Sequence, residues 1–460
     1  MAFVLFTFIV LFFSYKIFTS KGSNRVLWYV VGILFFHEGI ILISNPIDLS
    51  APRIFTLSLL LSSIFCESQS EWRSFPLKKI FLFILISLII IGFNDTRLSS
   101  FQLIYRPAVY FFDNFLPCIL AFLSFKEEKD WKKTMKVLYS SMIIMCLYGL
   151  ATYLIRFNHY NDLIAKTTGW LDTSSNINLG TSRERVSSFT NNSIYYGYMI
   201  SIIFIIFIVN FVSTKTKNIH HSISFIFISI LMLSNLYLSN SRTPYFTFAI
   251  GLSIALFLVS GMKDKFKYFL YVLLFFIVVM NTSVGQNAVQ KVTDIFAQEQ
   301  NEGGSSIEMR LDQLNASLEI FDHNIYTGNG FKYIIEDLGF KSIGGDENED
   351  LYGFESYIFE LLIEQGIIGF VYSIIFFVSI ILWFFMNYNR NRNTKIISGL
   401  SISLILCLLS FSVATGRLYS WPITLVLIGI NMKRIILVKK EEDAEDYSLE
   451  ESPIQSQVIE

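Results

Sequence analysis

Apolar residues along this chain come in blocks of about twenty, parted by short polar breaks. A helix of that length matches the hydrocarbon thickness of a bilayer. It also satisfies its own backbone polar groups where there is no water to do so. Thirteen blocks follow this pattern, near 2–18, 26–43, 54–66, 77–93, 108–125, 134–155, 193–212, 222–238, 243–260, 266–280, 356–386, 395–412 and 418–437. The third and tenth are short, so twelve spans is the alternative count. The pattern predicts an all-α polytopic membrane protein with about 12–13 transmembrane helices. Ten lie in 1–280, the last three in 356–437, and a charged tail, read as solvated and disordered, occupies 438–460. Two polar interruptions are long, 156–192 and 281–355. In the second, Ile307, Leu311, Leu314, Leu318 and Phe321 recur at three- and four-residue intervals, which predicts an amphipathic helix packed on the domain or lying on the membrane interface. Ser305 and Ser306 precede it and Arg310 borders its stripe. Thr327-Gly328-Asn329-Gly330 reads as a turn, and the Gly- and acid-rich 339–350 segment as a loop.

Composition agrees with this reading. Hydrophobic residues make up 53% of the chain and charged residues 16%, against about 25% charged in an ordinary globular protein. A soluble fold cannot enclose that much apolar surface. The four cysteines lie in or at the ends of apolar blocks, with no zinc spacing, and read as small buried hydrophobes. The first block lacks the basic flank and small-residue cleavage site of a signal peptide, so it is taken as a span.

The formal net charge of −1 hides an uneven distribution. Eight acids and no bases lie in 441–460, and without them the chain is +7. The loops alternate in character. One set holds 23 Lys and Arg, the other 13, and by the positive-inside rule the first set is cytoplasmic. This puts the N-terminus outside and the acidic tail inside. Five of the 23 are Arg, whereas nine of the 13 outer bases are: Arg53, Arg97, Arg106, Arg156, Arg183, Arg185, Arg242, Arg310 and Arg417. A lysine suffices to set topology. Arginine offers a planar fork that grips phosphate or carboxylate with two hydrogen bonds. An Arg-rich outer face therefore points to a polyanionic ligand such as a diphosphate, or to ion pairing among the loops.

No P-loop, nucleophile elbow, zinc-protease motif or dinucleotide fingerprint occurs, and nothing in the charge pattern calls for nucleic acid. The five His form no metal-spaced set. His37-Glu38 falls inside the second predicted span, where an ionisable group is a functional candidate by default. Internal packing or a His–Glu pair is its expected role. Four stretches on the outer side carry more: Arg185-Val-Ser-Ser-Phe-Thr-Asn-Asn192, Ser239-Asn-Ser-Arg242-Thr, Arg310-Leu through Tyr326-Thr-Gly-Asn-Gly330, and Glu355-Ser356 followed after nine residues by Gly366-Ile-Ile-Gly369. On one continuous helix Glu355 would share a face with Leu362, Gly366 and Gly369, the glycines opening space beneath the carboxylate for a substrate.

In their order and setting these stretches resemble the O-antigen polymerase and O-antigen ligase family of bacteria, over roughly 180–385. In the ligases the last motif reads His-Asn/Ser, nine residues, then Gly-x-x-Gly. Here Glu355 takes the place of the His, which favours a polymerase of the Wzy type. The resemblance implies a GT-C-like membrane glycosyltransferase of the cytoplasmic (inner) membrane. It would use no metal or cofactor and would join polyprenyl-diphosphate-linked oligosaccharides at the extracytoplasmic face. Glu355 would be the general base. Arg310, Arg242 and Arg185, with Arg417 as a further candidate, would stabilise the diphosphate leaving group. Other assembly proteins, a flippase and a chain-length regulator, are the implied partners. A ligase moving finished polymer, or a lipid-linked oligosaccharide flippase, are the alternatives. A flippase usually shows matched internal repeats, and none is found.

Overall fold

A computed structural model describes residues 2–43, 48–168, 185–214, 219–259, 307–338, 356–388, 391–416 and 420–450. These are almost entirely helical, and the chain is an all-α multi-pass membrane protein. Helices occupy twelve of the thirteen predicted spans, and the remaining one, 266–280, lies outside the described residues. Six of the described helices are long and apolar enough to cross a bilayer: Asp130–Ile155, Ser193–Ser213, Arg242–Val259, Tyr357–Met386, Arg392–Thr415 and Ser420–Asp443. A seventh span is broken. Helices Ser100–Asn114 and Leu116–Ser124 meet at 48°, and Pro117 sits just after the break, where its missing N–H and its ring interrupt the hydrogen-bond ladder. Shorter apolar helices fill other predicted spans: Ala2–Thr19, Asn24–Phe35, Ala51–Cys66, Lys78–Phe93 and Ile219–Leu238. Among the described residues, six or seven helices thus have the length and composition for a crossing.

The last helix, Ser420–Glu450, runs through the middle of the bundle. Ile423, Leu425, Val426, Leu427, Ile428 and Ile430 are all fully buried, and a helix apolar on every side is one enclosed by others. Two sequence readings change here. The expected solvated tail continues this helix as far as Glu450, with 451–460 outside the described residues. The second span is shorter than predicted, since its helix stops at Phe35, turns, and enters the strand Ile41–Ile43 paired antiparallel with Leu49–Ser50. His37 and Glu38 therefore occupy a turn at a helix end and not the middle of a helix.

The Lys-rich end of the bundle is closed by ion pairs between distant parts of the chain. Glu67 receives Arg25 (2.8 Å) and Lys126. Lys433 reaches Glu71 at 2.6 Å. Burial alone would raise the Glu71 pKa, but the hydrogen bond and charge of Lys433, with Lys126 and Lys440, outweigh it and hold the carboxyl below its ordinary value. Arg434 grips Glu128 with two nitrogens (2.6 and 2.9 Å) and lies 3.9 Å from the centre of the Trp131 ring. Its side chain is 9% exposed. Removing one partner of such a pair strands a buried charge, at a cost of about 3 kcal/mol. Glu128→Ala is therefore expected to lower the thermal midpoint of the purified protein in detergent, and Glu128→Ala combined with Arg434→Met to restore most of it. Equal loss in both variants would count against the pair as the cause.

Candidate functional site

At the opposite, Arg-rich end, the 185–192 stretch forms a buried loop ahead of helix Ser193–Ser213. Val186, Ser187, Ser188 and Thr190 are all nearly inaccessible. Their backbone groups need partners, and these are provided. Asn158 donates to the Ser188 carbonyl at 2.7 Å and Asn161 to the Thr190 carbonyl at 2.9 Å. Ser188, with φ 52°, donates its hydroxyl to the Met145 carbonyl at 2.7 Å. Phe189 stacks on Tyr148 at 4.3 Å and packs edge-on against Phe35 and Tyr160. The Ser-Ser-Phe-Thr part of the motif thus holds the loop together. What it presents is half-buried Arg185 at one end and Asn191 at the other.

Val186 N donates to the Leu238 carbonyl at 3.0 Å. This joins the Arg185 loop to the end of helix Ile219–Leu238, from which the 239–241 linker leads to exposed Arg242, the first residue of helix Arg242–Val259. Two motifs more than fifty residues apart are thereby brought together. Asn191 donates through its side-chain amide to Glu38, a carboxylate for which the sequence predicts internal packing or a pair with His37. No periodicity links residues 153 apart, so this contact left no sequence signal. His37 is buried, and its Nδ1 accepts from Gly39 N at 3.1 Å.

Helix Tyr357–Glu360 begins at the same end. Its cap is Ser356, whose side chain accepts from Ile358 N at 3.3 Å. Tyr357 packs on Trp421 with ring centres 5.2 Å apart, and Tyr198 and Thr424 share a hydrogen bond of 2.7 Å. Asn192, Ser356 and Ser420, the starts of three helices, are drawn together by these contacts. Glu355 and Arg417 precede two of these starts in sequence and lie outside the described residues. Arg310 is in the first turn of helix Ile307–Phe321, with its side chain outside the described residues.

The single continuous helix assumed from Glu355 to Gly369 is not formed. Residues Leu361–Gln365 make a π turn, and Gly366 adopts φ 60°, ψ −156° before helix Gly366–Met386 starts. The shared-face reckoning fails for that reason, since a π turn adds a residue per turn. The space at the two glycines is also occupied. A strap of residues 325–330 docks there: Ile367 N donates to Ile325 O (2.8 Å), Ile368 N to Tyr326 O (3.1 Å), Asn329 N to Ile363 O (2.9 Å) and Gly330 N to Glu364 O (2.9 Å). At Gly369 it is the Gln365 side chain that fills the gap.

Three of the outer arginines hold structure together. Arg53 chelates Asp113 (2.7–3.1 Å). Arg97 pairs with buried Asp95 at 2.7 Å and with Asp337. Arg106 donates to the Phe331 carbonyl at 2.7 Å and pairs with Glu336 at 2.8 Å. Arg97 and Arg106 thus fasten the 331–337 segment onto the bundle, so part of the Arg-rich face is ion pairing. Arg106→Met should cost the docked segment about 1–3 kcal/mol. Hydrogen exchange at the Gly330 and Ile334 amides is expected to speed up while helix Arg392–Thr415 keeps its protection. Unchanged exchange at both amides would mean that the arginine does not hold the segment.

No curated protein matches the chain. A family model described as O-antigen ligase matches residues 227–374, a stretch that includes Arg242, Arg310, the 325–330 strap, Glu355 and both glycines but not the 185–192 loop. Over 227–374 the chain is similar to the O-antigen ligase domain, consistent with the O-antigen ligase and polymerase family.

Proposed function

We propose that this protein is a polysaccharide polymerase that joins polyprenyl-diphosphate-linked oligosaccharide repeat units at the outer face of the bacterial cytoplasmic membrane. A hydroxyl of the acceptor repeat attacks the anomeric carbon of the donor, the bond from that carbon to the diphosphate oxygen breaks, and the hydroxyl proton passes to Glu355. Lipid diphosphate is already a good leaving group, so it needs charge stabilisation and not protonation. Arg185, Arg242 and Arg310 supply that charge in this reading, with Arg417 as a further contributor. The proton acceptor is a carboxylate at the membrane boundary, where partial desolvation favours its protonated form. The reaction requires no metal, and a flippase and a chain-length regulator would work beside it.

The observation that carries this reading is the Val186–Leu238 backbone bond, which joins the Arg185 loop to the segment leading into Arg242, at the end of the bundle where the Ser356-capped helix begins. Arg53, Arg97 and Arg106 are committed to carboxylates, which removes three of the nine outer arginines from the candidates. Glu355 in place of the ligases' His favours the polymerase. The description of the matching family favours ligase as the second reading.

Complementation of a strain lacking this protein separates the readings by what accumulates. Single lipid-linked repeats exposed at the outer face are the expected product of the loss, and of Glu355→Gln or Arg310→Ala variants present at normal level. Accumulated lipid-linked polymer would indicate a ligase, and repeats left unexposed a flippase. Full-length polymer from both variants would overturn the proposed mechanism.

A further inference from the structure

Helix Ile307–Phe321 is arranged in an unusual way. Its fully buried residues are polar, Gln313 and Ser317, while Leu311 and Leu318 are 54% and 44% exposed. At 100° per residue, Gln313 and Ser317 lie on one side and face the π turn and the Tyr357 helix. Leu311 and Leu318 lie together within 20° of one another, about 140° round from Gln313. Exposed Asp312, Asn315 and Glu319 form a third sector beyond the leucines. The helix therefore presents three kinds of surface to three directions: Gln313 and Ser317 to protein, with Ile320 packed beside them on Ile334 and Ile363, leucines to one exposed side, charges and amide to the other. In water alone the leucine sector would have no reason to stay outside while Gln313 and Ser317 are enclosed.

The apolar exposure does not stop at this helix. It continues into the strap through Ile325 (40% exposed) and Tyr326 (73%). The carbonyls of these two residues are bonded to Ile367 and Ile368 at the top of a membrane-crossing helix. From there Ile367, Phe370, Val371, Ile374, Val378, Leu382 and Phe385 form an exposed stripe down that helix, which is the face a crossing helix turns to lipid. The strap that follows the helix is thus fastened to the top of a lipid-facing surface. An aromatic with a polar tip, Tyr326, sits at the junction, as at a bilayer interface.

We infer that helix Ile307–Phe321 lies in the plane of the membrane at the headgroup boundary, with Leu311 and Leu318 in the acyl chains of the bilayer and Asp312, Asn315 and Glu319 in water. The leaflet is the one at the Arg-rich end, the outer one in the orientation proposed above. An interfacial helix of this kind is held by buried apolar area on one face. It sets the depth of everything attached to it, and the attached parts are the strap and the π turn that precedes Gly366. The polar chemistry of the site is thereby kept at the level where a lipid-linked diphosphate carries its charge, so the substrate need not leave the leaflet. This deepens the proposed function without depending on it, because the membrane depth is measurable with no substrate present.

The test uses the full chain reconstituted in phosphatidylcholine vesicles, with Cys66, the exposed thiol, replaced by Ser. Nitroxide labels are placed one at a time through Leu311→Cys, Leu318→Cys, Asp312→Cys and Glu319→Cys, with Val378→Cys as the lipid-facing reference. Collision with oxygen, which concentrates in lipid, is compared with collision with a water-soluble nickel chelate. Positions 311 and 318 are expected to favour oxygen over nickel, as 378 does, and positions 312 and 319 to favour nickel. Nickel access at 311 and 318 equal to that at 319 would overturn the inference. Low access to both reagents, the mark of burial against protein, would overturn it equally. The inactivity of a Glu355 variant would bear only on the catalytic reading and leave these ratios unchanged.

Discussion

Glu355→Gln is expected to lower the rate of polymer formation by about 10²–10⁴-fold, the usual contribution of a positioned general base. Glutamine keeps the size and hydrogen-bonding shape of the side chain and removes the ability to take a proton. The residual rate should remain above the uncatalysed one, because the arginines still stabilise the departing diphosphate. Arg310→Ala probes that second contribution, and a loss of about 10²–10³-fold is expected from withdrawing one charge-stabilising donor. Together the two should be far from additive, as is usual for groups acting on one transition state. Initial rates in membrane vesicles supplied with lipid-linked repeat units, normalised to protein level, measure all three variants. A Glu355→Gln rate within about twofold of the unsubstituted protein would be too small for a lost general base.

Gly366→Ala should be strongly destabilising. Its backbone at φ 60°, ψ −156° lies in a region open essentially to glycine alone, worth about 1–3 kcal/mol of strain for any other residue. A Cβ there would also stand 2.5 Å from Gly328 N and 2.6 Å from both the Ile325 and Tyr326 carbonyl oxygens. Those carbonyls cap the first two amides of helix Gly366–Met386, so the methyl cannot be accommodated without lifting the strap. With overpacking of about 1–3 kcal/mol added, the total is a sizeable fraction of the stability of most domains. Gly369→Ala is the control. Its Cβ would stand 2.3 Å from the Gln365 Cβ, which side-chain rotation cannot move, but its backbone has no positive φ, so its cost should be overpacking alone, about 1–3 kcal/mol. Thermal unfolding in detergent is expected to rank Gly366→Ala well below Gly369→Ala. Equal midpoints would show that the strap is not tied to this glycine.

The placement of the helices was legible in the sequence because lipid as solvent imposes one requirement, a run of apolar residues with internally satisfied backbone. Twelve spans follow from that requirement and coincide with helices. Where each helix ends did not follow, since that depends on caps such as Phe36 and breaks such as that before Pro117. At the site, residue types were legible and their uses were not. The surplus of arginine was evident, but Arg53 and Arg106 find their acids 60 and 230 residues away, and Arg97, besides its neighbour Asp95, reaches Asp337 240 residues away; nothing local marks such distant partners. Extrapolating one helical face across 355–369 failed because a π turn and a glycine-only conformation intervene. The stripe of helix Ile307–Phe321 was correctly located in sequence, yet part of it is exposed and the buried side is Gln313 and Ser317. A helical wheel separates faces without saying which solvent each one meets.

The central claim is that this chain itself forms glycosidic bonds between lipid-linked repeats. The most direct measurement uses the purified protein in vesicles with a defined polyprenyl-diphosphate-linked repeat unit and a chelator, and follows saccharide length and released polyprenyl diphosphate together. A ladder of lengthening lipid-linked chains, with one polyprenyl diphosphate released per new linkage, is the expected result. Repeat units that stay single, or that merely change leaflet with no diphosphate released, would contradict it.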